Sequence, residues 1–125
     1  MGMDLKSKVG GEFSFSTIGW SFYLNLAAIY GWESVGTLPP SDWNDSRPWE
    51  GAYDWNAGQC VAEKDACGLA NALDSYLADP NRKEQAENLA SQFSEIGIPI
   101  NLPDSDSEFV HSFIMFARNG AFEIW

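Results

Sequence analysis

Between residues 17 and 30 apolar side chains run almost all the way round a helical wheel. Ile18, Phe22, Leu26 and Ile29 share one side, and Tyr30, Tyr23, Ala27, Trp20 and Leu24 continue round the other. Only Ser21, Asn25 and the small Ala28 leave a narrow strip for water. A helix apolar nearly all round is normally enclosed by other elements. The pattern therefore predicts a central N-terminal hydrophobic helix, capped by Ser16 or Thr17 and ended by Gly31. Before it, residues 1–11 are polar and punctuated by glycine, and read as an irregular lead-in. Residues 12–16 alternate, with Phe13 and Phe15 on one side, which is the period of a short half-buried strand.

Helical periodicity returns at about residue 61. Ala62, Ala66, Leu69, Leu73, Tyr76 and Leu77 fall on one face, opposite Glu63, Lys64, Asp74 and Ser75, and predict a helix over 61–78. Asp79-Pro80 reads as a cap with proline at the next helix's first position. That helix, over 81–95, presents Ala86, Leu89, Ala90 and Phe93. Ser105 and Glu108 form a capping-box pair for a last helix over 106–118, which buries Phe109, Val110, Phe113, Ile114, Phe116 and Ala117. Residues 121–125 resemble a short strand, with Phe122 and Ile124 on one face. The expected architecture is a single domain over 1–125, mainly α (an α-rich α+β). About four helices pack around the central one, with a small β-pairing of the N- and C-terminal segments and a long Trp-rich loop.

That loop, 32–58, has no period and is broken by Pro39-Pro40 and Pro48, yet it carries Trp32, Trp43, Trp49, Tyr53 and Trp55. Two identical triplets, Asp42-Trp43-Asn44 and Asp54-Trp55-Asn56, suit Asx-turns that direct each indole inward. A loop this long is uncommon in a compact domain and often functional. One reading folds the indoles back over the central helix, because an exposed cluster is an apolar liability. The other makes them a stacking platform or a set of anchors for a partner. On that reading the candidate binding residues are Trp43, Asp45, Trp49, Glu50, Asp54 and Trp55.

Charge narrows the partners. The chain has 125 residues and a formal net charge of −11. Direct nucleic-acid binding normally needs a basic face, whereas acidic surfaces steer encounters with basic proteins. A composition 45% hydrophobic and 14% aromatic excludes general disorder, and this length builds a core without metal or disulfide staples. Cys60 and Cys67, both placed in a helix, would lie about 10 Å apart along its axis, beyond the reach of a disulfide. Reduced thiols, no apolar leader and no span of membrane length lead to the expectation of a cytoplasmic protein outside the membrane.

Catalytic signatures are absent: no phosphate loop, no nucleophile elbow, no His-Glu-x-x-His pair. The spacings Asp42-x-Asn44 and Asp104-x-Asp106-x-Glu108 lack the glycine and the twelfth-position acid of calcium loops. No metal or cofactor is expected. His111, paired with Glu108 one turn earlier, is the candidate for acid–base chemistry.

Short blocks of the chain resemble a group of small bacterial proteins with no assigned activity. These are Gly19-Trp20, the run from Gly58-Gln59 through Val61–Ala66 and Leu69–Leu73, and Phe116–Phe122. The resemblance implies a bacterial origin and no site residue; where those relatives often open the second helix with Thr or Ser, this chain has Ala62. Three functions stand as expectations. The first is an acidic binding protein for a basic partner, the second a small-ligand binder using the tryptophans, and the third an enzyme using His111.

Overall fold

The computed structural model describes residues 2–43, 47–100 and 106–125. In chain order its elements are β1 (Gly2–Ser7), β2 (Glu12–Ser16), α1 (Thr17–Ile29), β3 (Gln59–Val61), α2 (Glu63–Ala78), α3 (Arg82–Glu95), α4 (Asp106–Ala117) and β4 (Phe122–Ile124). The mainly α architecture around a central N-terminal helix is not what the chain adopts. It forms a small α+β fold, four helices with a four-stranded antiparallel sheet in the order β2-β1-β4-β3.

The difference starts at the first strand. Residues 2–7, read above as an irregular lead-in, alternate Met3 and Leu5 inward with Asp4 and Lys6 outward. Met3 lies opposite Phe15, and Leu5 lies between Phe13 and Ile124. On the outer face Lys6 stands across from both Glu12 and Glu123, a favourable cross-strand pairing. The expected pairing of residues 12–16 with 121–125 is therefore replaced: β1 lies between those two strands. The register brings Met3, Leu5, Phe15, Val61, Phe122 and Ile124 to one buried face. Leu38 adds a bridge to Cys60 and partly covers the β3 edge.

α1 forms where periodicity places it. The Ser16 hydroxyl accepts the Gly19 N–H at 3.0 Å, and Gly31 turns the chain away at φ +100°. It is not enclosed, however. Trp20, Phe22, Tyr23, Leu26 and Ala27 are buried, while Ile18 and Ile29 are 47% and 49% exposed. The helix covers one side of the sheet, so only its inner half needs partners. Trp20 meets Phe15 at 5.2 Å and Phe122 at 6.3 Å between ring centroids. From α4, Phe113 reaches Phe15 at 5.1 Å and Phe13 at 5.5 Å. These tilted and edge-on rings form one continuous core, each pair worth about 1 kcal/mol beyond its buried area.

α2 packs along both α1 and α4, and Phe93 of α3 joins through Phe22 at 5.7 Å. Residues 59–61 form β3, so Val61, at which the sequence pattern starts the second helix, belongs to a strand, and α2 opens at Glu63. Cys60 is thus on β3 and Cys67 on α2, and both thiols are free. The Asp79 carboxylate accepts the Asn81 N–H at 2.9 Å, and the third helix opens at Arg82, after Pro80. Ser105 of the capping-box pair lies outside the described residues. No helix among the described residues is long and apolar enough to cross a membrane.

Candidate functional site

The described residues of the aperiodic segment 32–58 are tied down at several points. Its deepest anchor is Asp65, in the first turn of α2 and 2% exposed. Its carboxylate accepts the Trp32 indole N–H at 2.9 Å and the Tyr53 hydroxyl. The Tyr53 oxygen in turn accepts the Gly36 N–H at 2.9 Å. Burial and the adjacent Asp65 carboxylate push the Tyr53 phenol well above its ordinary range. The loop then crosses itself where Gly36 and Gly51 both take positive φ, 96° and 78°. A Cβ on Gly51 would sit 3.1 Å from the Gly36 Cα, so the crossing requires glycine.

Two buried polar side chains satisfy the loop backbone. Thr37 donates its hydroxyl to Ala52 O at 2.6 Å and its N–H to Gly51 O at 3.2 Å. Gln59, fully buried on β3, donates to Ala52 O at 3.2 Å and Trp55 O at 2.7 Å, and accepts the Ala57 N–H at 3.1 Å. Asn56 donates to Gly2 O at 2.8 Å and Trp125 O at 2.9 Å, so it ties the loop to the sheet where an Asx-turn was expected. Among the described residues no buried side-chain polar atom lacks a partner. A loop this fully bonded behaves as an element.

Its aromatic residues divide into two sets. Trp32 and Tyr53 turn inward, ring centroids 5.4 Å apart, over Asp65. Trp43, Trp49 and Trp55 turn to one another: 4.9 Å from Trp43 to Trp49, 5.5 Å from Trp49 to Trp55, 6.4 Å from Trp43 to Trp55. The two Asp-Trp-Asn triplets thus place their indoles side by side. Trp49 is held from below, its N–H shared between Thr37 O at 3.0 Å and Thr37 Oγ1 at 3.1 Å. Trp43 and Trp49 are half-buried, and Trp55 is 46% exposed. Among the described residues the ring contacts of these three are with one another.

Asp42, Glu50 and Asp54 are exposed beside the indoles, and no hydrogen bond or ion pair among the described residues occupies them. Asp45 lies outside the described residues. Of the six candidates, the structure therefore brings together Trp43, Trp49 and Trp55, with Glu50 and Asp54 adjacent in the chain. An indole cluster framed by carboxylates suits a guanidinium or ammonium group, which stacks on the ring face while pairing with the acid. The positioning residues Thr37, Gln59 and Asn56 were not foreseen from sequence, since a polar residue inside a loop gives no sign of facing inward.

His111 and Glu108 are both exposed on the outer side of α4, and no hydrogen bond joins them. A shallow cleft of about 400 Å³ includes Glu108, Phe13 and Ser112 but not His111. Another cleft of about 400 Å³ opens beside Trp32, with Glu33, Lys64, Asn71 and Ser75 on its walls. No family model, no curated protein and no solved structure matches the chain, so no residue's role is carried over from a relative.

Proposed function

We propose that the chain is an acidic, cytoplasmic binding protein that recognises a basic protein partner through Trp43, Trp49 and Trp55 and the carboxylates beside them. The observation that carries this reading is the trio itself: three indoles in mutual contact, held by a buried hydrogen-bond scaffold and left partly open to solvent. Aromatic residues at the centre of a patch with charges at its rim are the usual anchors of protein interfaces. A net charge of −11 raises the encounter rate with basic partners and makes it sensitive to salt.

Immobilised wild-type chain and Trp55→Ala, exposed to the same lysate, test this directly. The expected result is a basic protein retained by the wild type, eluted by salt and absent from the variant. Identical captures on both, or retention indifferent to salt, would overturn the proposal.

The cleft beside Trp32 favours a second reading, a small polar ligand, since its size falls in the range of small-molecule sites. A metabolite panel that leaves both the melting temperature and the indole emission unchanged would remove it.

A further inference from the structure

A groove of about 240 Å³ runs beside α1, with buried Met3, Trp20 and Phe93 at its base and Ile18, Leu24 and Ile98 along its walls. Among the residues lining it, Asp54 alone carries a charge. The backbone sets Asp54 there: the Trp20 indole N–H donates to Tyr53 O at 2.8 Å, which fixes the neighbouring residue over the helix. Three other aspartates have internal work, Asp65, Asp79 and Asp106, as acceptors from phenols. Asp54 has none among the described residues.

We propose that this groove receives one arginine or lysine side chain of the basic partner, its alkyl stem against the apolar walls and its charged head at Asp54. The inference deepens the function proposed above and rests on it. Three observations support it. Long cationic side chains lie along apolar surface with the head kept in water, which matches an apolar trough with a charged rim. The volume lies below the roughly 300 Å³ at which small-molecule sites begin, and suits a single side chain. Asp54 also immediately precedes Trp55 in the chain, so the groove and the aromatic surface contribute neighbouring residues. A partner laid across Trp43, Trp49 and Trp55 would reach the groove without a second contact region.

The test is a titration of isotope-labelled chain with nona-arginine, followed by amide and indole N–H resonances, with nona-citrulline as the uncharged counterpart. Nona-arginine is expected to shift Ile18, Ser21, Leu24 and Ile98 together with the indoles of Trp43, Trp49 and Trp55, and nona-citrulline to shift neither set. Asp54→Asn, at an exposed position, is expected to weaken binding about fivefold, the upper worth of one exposed ion pair. It should also erase the shifts along α1 while leaving those of the indoles. Indole shifts alone, or an Asp54→Asn titration identical to wild type, would overturn the groove and leave the aromatic surface standing. Groove shifts without indole shifts would support the groove and overturn the aromatic reading, and shifts at neither set would overturn both.

Discussion

Each of the four tyrosines in this chain ends on an aspartate. Tyr23 and Tyr76 donate to Asp106, Tyr30 to Asp79 at 2.6 Å, and Tyr53 to Asp65. Burial first, and then the carboxylate beside each, disfavour the tyrosinate, so all four phenols titrate above their ordinary range, with Tyr30 pushed up to about 12. The bond from Tyr30 holds the Asp79 carboxyl below its usual range, helped by the Asn81 N–H. A raised tyrosine pKa contributes stability that is complete below the unfolded value of 10.0 and lost as pH climbs towards 12. A lowered carboxyl contributes stability present above the unfolded 3.8 and lost as pH falls through the folded value. The stability difference between wild type and Tyr30→Phe is therefore expected to be largest between pH 4 and pH 10 and to shrink on both sides, as read by urea denaturation at a series of pH values. Asp65 is the costlier anchor. Asp65→Ala leaves the Trp32 and Tyr53 donors buried and unmatched, and about 3 kcal/mol of unfolding free energy should be lost in the same assay. A loss below 1 kcal/mol would mean water replaces the carboxylate, and that the anchor described here is wrong.

The strand β1 decides the architecture, and it was the least visible element in the sequence. Its six residues hold two apolar positions separated by Asp4 and Lys6, with no β-branched residue, so local pattern gives a strand little to stand on. Its pairing is set by β2 on one side and by β4, more than a hundred residues away, on the other. β3 was hidden for another reason: one of its two inward residues is Gln59, buried because the loop carbonyls need its amide. The apolar alternation fails where polar satisfaction wins. The amphipathic helices were readable, since their inner faces need only the 3.6-residue period. The first helix misled because apolar residues on a surface are common, and Ile18 and Ile29 are two of them. The loop was half readable. Its tryptophans marked it, but which of them turn inward is decided by Asp65, 33 positions from Trp32. Leu5→Ala, which removes a buried side chain paired on both sides of β1, is expected to cost about 3 kcal/mol. Gly51→Ala should destabilise by at least about 1 kcal/mol through its positive φ and its contact with Gly36, while leaving helix content unchanged by circular dichroism. If Leu5→Ala costs nothing, the sheet order β2-β1-β4-β3 cannot be right.

Acidic excess is a property of the entire surface, but its use is uneven. Several carboxylates serve the fold as acceptors, and Glu123 and Asp74 pair with Lys8 and Arg118 at 3.4 Å and 3.2 Å. Asp42, Glu50 and Asp54 do neither, and they lie beside the indole trio. The aromatic loop accordingly separates into a half that supports the fold and a half that faces outward. Trp32→Ala should cost about 3 kcal/mol, because it removes a ring and takes from the buried Asp65 carboxylate one of its two side-chain donors, leaving the Tyr53 hydroxyl. Trp55→Ala should cost about 1 kcal/mol or less. Charge-selective quenching of indole emission tests the outward half most directly. With Trp125→Phe as background, since Trp125 is itself 48% exposed, caesium and iodide quenching are compared after scaling each to free N-acetyltryptophanamide. The account predicts that caesium quenches more effectively than iodide, and that adding Trp55→Phe removes most of the quenchable emission. Equal or stronger quenching by iodide, or emission that neither ion reaches, would contradict it.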